Sequence, residues 1–241
     1  MNLGSGLKDN YKVQLFLFPF AGGGKTSFNR LTAHLDRQIE AVTVEYSGRG
    51  DRAREGYITD YQEFVADAAR QVTRHRNQRL PYAVLGYSMG TALAYELITN
   101  EYGWGMPVHA FFCARGCLRD EKLARLPENE LLEHTVKLSG IDGIVLKNEN
   151  LKNIILHPLK EDYGIYFSYQ YSPGTRPLTC PVTVFYCRED TPFPTVEGWK
   201  ELTDGHTEFY EFGDNHFFLL KHYREMAGLV SHALIKTTET Q

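Results

Sequence analysis

Short apolar, β-prone runs alternate with helix-periodic segments along the chain. Val13 to Phe18 reads as a first strand covered on both faces, ending in Pro19-Phe20-Ala21-Gly22-Gly23-Gly24. A helix is expected from about Ser27 to Leu35, capped by Ser27 or Thr26. Ile39 to Tyr46 reads as a second strand, followed by the glycine-rich, charged loop Ser47 to Arg52. A long helix starts near Thr59, where Thr59 with Gln62 and Asp60 with Glu63 both have capping-box spacing. Tyr61, Phe64, Val65, Ala68 and Val72 give it one apolar face. Leu80 to Leu85 reads as a strand, Thr91 to Ile98 as a helix, and Val108 to Ala114 as another strand.

From about Gly116 to Tyr171 the pattern changes to helical stretches, at Leu126 to Leu132, Leu151 to Leu156 and Lys160 to Tyr171. Alternation resumes with a strand at Val182 to Tyr186, a helix at Val196 to Leu202 and a strand at Thr207 to Phe212. Phe217 to Ile235 closes as an amphipathic helix with Leu220, Tyr223, Ala227, Val230 and Leu234 on its stripe. Strands alternating with helices imply an α/β fold, a mostly parallel central sheet flanked by helices. Residues 1–115 and 173–241 form the expected core. Residues 116–172 are a helical insertion over the sheet's carboxyl edge, placed as a lid.

Bulk properties narrow the function classes. At 241 residues one core plus an insertion suffices. The net charge of -4 gives no basic surface for nucleic acid. The apolar run at Val13 to Phe20 is too short to cross a membrane and lacks a signal-peptide layout, so a cytoplasmic protein with no membrane partner is expected. Cys113, Cys117, Cys180 and Cys187 have no metal-ligand spacing and read as buried free thiols. A monomer is the default expectation.

The chemistry concentrates at Gly86-Tyr87-Ser88-Met89-Gly90. Strand, tight turn and helix around Gly-x-Ser-x-Gly are the context of a nucleophile elbow. Side chains at Gly86 and Gly90 would collide with the neighbouring strand and helix. A serine hydroxyl needs a base, and the base an orienting carboxylate. In chain order these follow as Asp/Glu and then His. Only His206, His216, His222 and His232 follow the strand at Val182 to Tyr186. His222 and His232 fall inside the last helix and His206 before the last strand. His216 falls just after that strand, at the carboxyl edge, and is the expected base. Asp190, beside the turn signal Thr191-Pro192, is preferred to Glu189 as the carboxylate. Asp214 lies too close in sequence to His216 to orient it easily. The Met89 amide and an amide from the loop after the first strand, Ala21 or Phe20, are the expected oxyanion donors.

Taken together, these pieces resemble the type II thioesterases of nonribosomal peptide and polyketide synthases, which have the α/β-hydrolase fold. The resemblance rests on Phe18 to Gly23, Gly48-Arg49-Gly50-Asp51-Arg52, Gly86 to Gly90, Asp190, and Gly213 to Leu219 with His216. Leu159-Lys160-Glu161-Asp162-Tyr163 is similar to the motif that family carries at the end of its lid. Two positions depart from its pattern: Ser47 stands where proline is usual, and Lys25 follows the early glycines.

The resemblance implies hydrolysis of acyl or aminoacyl groups from the phosphopantetheine arm of an acyl or peptidyl carrier protein. Ser88 would attack, His216 take the proton, and water release the acyl-serine ester, with no metal or cofactor. No Asp-Ser pair occurs, so the carrier is expected to be a separate protein or domain. Apolar residues of the insertion, including Leu131, Leu132, Ile154, Ile155 and Leu156, are candidates for an acyl channel or for packing the lid on its base.

Three alternatives are weighed. A phosphate-binding loop at Gly24-Lys25-Thr26 would need a glycine where Pro19 stands. A carboxylesterase or lipase would share the whole triad and differ in leaving group. A non-catalytic carrier-binding module would have no need of Ser88, Asp190 and His216.

Overall fold

The computed structural model describes residues 11–100, 102–118, 149–169 and 176–239. Six strands form one sheet in the order β2-β1-β3-β4-β5-β6. They are β1 (Val13–Phe18), β2 (Ile39–Thr43), β3 (Tyr82–Tyr87), β4 (His109–Cys113), β5 (Val182–Tyr186) and β6 (Thr207–Glu211). Among the described residues every pairing between them is parallel. The described α-helices are α1 (Asn29–Thr32), α2 (Tyr61–His75), α3 (Met89–Thr99), α4 (Glu149–Ser168), α5 (Phe193–Glu197) and α6 (Leu219–Glu239).

The inner strands β1, β3, β4 and β5 are buried at every position, because helices cover both faces. Side-chain alternation splits each strand between two cores. Phe16, Val84, Phe112 and Val184 face α2 and α3. Leu15, Leu85, Phe111 and Phe185 face α6, with Met226, Ala227, Val230 and Leu234. The edge strands β2 and β6 are more exposed.

From β1 the chain first builds outward to β2, then crosses back to β3 on the other side. That reversal opens a crevice at the carboxyl ends of β1 and β3, where α/β sheets bind their ligands. The registers Phe18 with Gly86, Tyr87 with Cys113, Cys113 with Phe185 and Tyr186 with Glu211 bring the carboxyl ends of these five strands level.

Four local expectations change. Ser27 does not cap a helix running to Leu35, and α1 is a single turn without a side-chain cap. Ser27 Oγ instead accepts from the Gly24 N–H at 3.0 Å, spending the hydroxyl on the glycine turn. Of the two capping boxes, the cap of α2 is Asp60, whose carboxylate accepts from the Glu63 N–H at 2.9 Å. The two short helices expected at Leu151 to Leu156 and Lys160 to Tyr171 are one helix, α4, running through Pro158 and ending at Ser168. Proline removes one donor from the ladder, and burial of Leu159 and Ile165 holds the helix beyond it. Leu220 is 44% exposed and lies off the apolar stripe, which starts at Leu219. The helix expected at Leu126 to Leu132, with Leu131 and Leu132, lies outside the described residues.

All four cysteines are buried, and none of them forms a disulfide. Among the described residues no helix is long and apolar enough to cross a membrane.

Candidate active site

Ser88 is the N-cap of α3 and has φ 54° and ψ -115°, a conformation that few residues with a β-carbon adopt. Its N–H donates to the Cys113 carbonyl at 2.8 Å, so the strained turn is still tied into the sheet. Thr91 Oγ1 bonds the Gly86 and Cys113 carbonyls beneath it. A β-carbon on Gly86 would sit 2.4 Å from the Gly90 carbonyl oxygen, and one on Gly90 would sit 2.0 Å from the Phe18 oxygen. Both glycines are therefore required where β1, β3 and α3 converge. The result is a half-exposed serine at a helix N-terminus, between the ends of β1 and β4.

His216 lies in the turn between β6 and α6. Its Nδ1 is 2.6 Å from Asp190 Oδ2, and both side chains are largely shielded from solvent. Asp190 follows β5 and also accepts from Thr191 Oγ1 at 2.9 Å. Glu189 points elsewhere, accepting from the Cys187 thiol at 3.1 Å. Asp214 binds Lys221 at 2.6 Å and His222 at 3.1 Å, which accounts for it and for His222. His206 is exposed beside Glu208. With His232 it lines a cavity of about 310 Å³ formed by β4, β5, β6 and α6, which contains neither Ser88 nor His216.

Ser88 and His216 share a small cavity with Phe20, Ala21, Leu159, Tyr163 and Phe217. Its free space is about 20 Å³, room for about one water molecule. Leu159 and Tyr163 come from α4, so the segment expected as a lid reaches the serine.

The loop after β1 has its amides largely committed. Gly22 N–H donates to Asp162 Oδ2 at 2.7 Å. Gly23 N–H donates to the Phe20 carbonyl, Gly24 N–H to Ser27 Oγ, and Lys25 N–H to Glu45 Oε1 at 3.0 Å. Of the loop amides weighed as oxyanion donors, Ala21 and Phe20 are outside this set. A carboxylate occupying the Lys25 amide also opposes the phosphate-loop alternative. The Lys25 ammonium pairs with Asp51 at 2.7 Å, out in solvent. Ser47, in the usual proline position, accepts from the Ile58 N–H at 3.0 Å and fixes the loop by a side-chain bond.

Two arrangements were not legible from sequence. Arg49 and Asp162, each in a separately noted motif, form a bidentate buried pair. Arg49 also donates to the Gly23 carbonyl at 3.0 Å. Tyr87, an unspecified position within the Gly-x-Ser-x-Gly pattern, donates its hydroxyl to the His216 carbonyl at 2.6 Å.

A serine in a strained strand-to-helix turn, beside a carboxylate-held histidine, is the arrangement of a serine hydrolase. The family model of the thioesterase domain matches residues 13–234. The chain belongs to the thioesterase family. This thioesterase is 30% identical over 224 residues to the gramicidin S biosynthesis protein GrsT of Aneurinibacillus migulanus, covering 89% of this chain and 86% of that protein. Among solved structures it is similar to ClbQ from the colibactin NRPS/PKS pathway, with TM-score 0.85 and 28% identity, covering 95% of this chain and all of that one. It is also similar to BorB, a type II thioesterase from the borrelidin biosynthetic cluster, with TM-score 0.81, 28% identity and 92% of each chain covered. The thioesterase thus has the α/β-hydrolase fold and is a thioester hydrolase.

Proposed function

We propose that this thioesterase hydrolyses acyl or aminoacyl groups from the phosphopantetheine arm of acyl or peptidyl carrier proteins, as a type II editing enzyme of nonribosomal peptide or polyketide synthesis. Ser88 is the nucleophile, His216 the general base and Asp190 the carboxylate that orients it. The observation that carries the reading is the 2.6 Å bond from His216 Nδ1 to Asp190, beside a cavity that His216 shares with Ser88.

The carboxylate fixes the tautomer with the proton on Nδ1, which leaves Nε2 to take the Ser88 proton. Ser88 Oγ adds to the thioester carbonyl, and the oxyanion is held by the amides of Met89 and Ala21. The C–S bond breaks, and the pantetheine thiol leaves with the proton from His216. Water, deprotonated by His216, then cleaves the acyl-Ser88 ester and releases the carboxylic acid.

Residues 116–172 act as a lid on a core made of residues 1–115 and 173–241. An acylated pantetheine arm far exceeds the space beside Ser88, so access requires Leu159 and Tyr163 to move.

The test against an oxygen esterase is a matched pair, a thioester and an oxygen ester of the same acyl group. The proposal expects the thioester to be cleaved with the higher kcat/KM. Preference for the oxygen ester would overturn it.

A further inference from the structure

We infer that Tyr87 is a positioning residue for His216, reaching the base through its main chain. The inference rests on the assignment of Ser88 and His216 above.

His216 stands outside regular structure. β6 ends at Glu211 and α6 begins at Leu219. Phe212 N–H ties the start of this connection to the Tyr186 carbonyl at 2.7 Å, and beyond it the backbone N–H bonds are short-range: Phe217 N–H to Asn215 Oδ1, Phe218 N–H to the Asn215 carbonyl, and Leu220 N–H to the Phe217 carbonyl. Such bonds shape the turn but do not place it over the sheet. Tyr87 supplies a tie to the sheet. Its hydroxyl donates to the His216 carbonyl at 2.6 Å and accepts from the Leu219 N–H at 3.4 Å, so it holds the chain from the base to the first residue of α6.

The tie starts one residue before the nucleophile. Tyr87 is the last residue of β3, so its backbone position is fixed by the same sheet that places Ser88. Its ring is fully buried, edge-on to His216 at 6.1 Å and to Phe20 at 5.9 Å, and packed on Phe218 at 5.4 Å. One side chain therefore touches the base, the turn that carries it and the loop that carries Ala21. Burial holds the phenol far above its ordinary value, so it remains a donor at any working pH.

Asp190 and Tyr87 then divide the task. The carboxylate sets the rotation of the imidazole, and the phenol sets the position of the backbone from which it projects. Loss of the phenol oxygen leaves the His216 carbonyl without this donor while the ring packing stays. A misplacement of about 1 Å between reacting groups costs on the order of 100-fold in rate.

The test is the rate of Ser88 labelling by a fluorophosphonate, which needs an activated serine but no particular acyl group. Wild type, Ser88→Ala, Tyr87→Phe, His216→Ala and the double variant Tyr87→Phe/His216→Ala are compared, each with its thermal midpoint. The expected result is labelling of the wild type, none of Ser88→Ala, and a rate roughly tenfold or more lower for Tyr87→Phe. Hydrolysis of an acetyl thioester by Tyr87→Phe should show the loss in kcat with KM kept. In the His216→Ala background the tyrosine change should cost nothing further, because its effect passes through the base. Wild-type labelling with an unchanged rate for Tyr87→Phe would overturn this inference alone. So would an equal loss in both backgrounds, which would mark a general structural effect. No labelling of the wild type would overturn the assignment of Ser88 and this inference with it.

Discussion

Arg49 and Asp162, 113 residues apart, face each other in a two-pronged ion pair that joins α4 to the loop beside Ser88. The Asp162 side chain is 1% exposed and that of Arg49 10%. Asp162 also accepts from the Gly22 N–H, and Arg49 donates to the Gly23 carbonyl. The pair thus clamps the turn that follows Ala21. Removing one partner of a buried pair strands the other charge, at a cost of about 3 kcal/mol. Asp162→Asn is expected to lower Tm by roughly 10 °C and to reduce kcat. Lys25→Ala, which breaks an exposed pair, should leave Tm unchanged. Thermal denaturation of the two variants side by side checks this.

Gly90 and Gly228 should respond to alanine with opposite signs. At Gly90 the new carbon would meet the backbone of Phe18 and Pro19, which cannot rotate away. Gly90→Ala is expected to destabilise by at least about 3 kcal/mol and to abolish activity by displacing the loop after β1. Gly228 lies on the exposed side of α6 with nothing within 4 Å, so Gly228→Ala should stabilise by roughly 0.5–1 kcal/mol. Urea denaturation of both variants reads the difference.

Much of this layout was legible in the order of the residues. Apolar runs placed the strands, because a sheet covered on both faces needs continuous burial. Chain order then put Ser88, Asp190 and His216 at strand ends that the sheet registers bring level. What could not be read depends on side chains choosing among partners. Ser27 looked like a helix cap and instead binds the Gly24 amide. Leu151 to Leu156 and Lys160 to Tyr171 read as two helices, yet α4 runs through Pro158, with Leu159 and Ile165 buried beyond the missing donor. The Arg49–Asp162 contact depends on how α4 docks, and no local pattern encodes that. Tyr87 carried no signal because any residue can stand between the glycine and serine of the motif.

His109 gives a pH prediction. Burial lowers its pKa to about 4 from 6.5, and it stays neutral, bonded through Nε2 to Thr183 Oγ1 at 2.8 Å. Above pH 6.5 both folded and unfolded states carry neutral imidazole. As pH falls from 6.5 toward 4, only the unfolded state takes up the proton, so stability declines across that window. The loss sums to about 3 kcal/mol. His109→Gln cannot titrate. Its unfolding free energy, measured in urea from pH 7.5 to 4.5, should fall less steeply than that of the wild type.

Leu159 projects from α4 into the cavity beside Ser88, where a β-carbon added to Gly22 would sit 3.3 Å from its side chain. Leu159→Ala should widen that space while Asp162 keeps the helix in place. The expected result is higher kcat/KM for longer acyl thioesters relative to acetyl, with about 2–3 kcal/mol of stability lost. A series of acyl lengths tested on wild type and variant measures the shift.

The most direct measurement follows the intact mass of a carrier protein loaded with a short acyl group, incubated with wild type or Ser88→Ala. The account predicts prompt loss of the acyl mass with the wild type and none with the variant. Equal loss with both, or retention of every acyl group tested by the wild type, would contradict it.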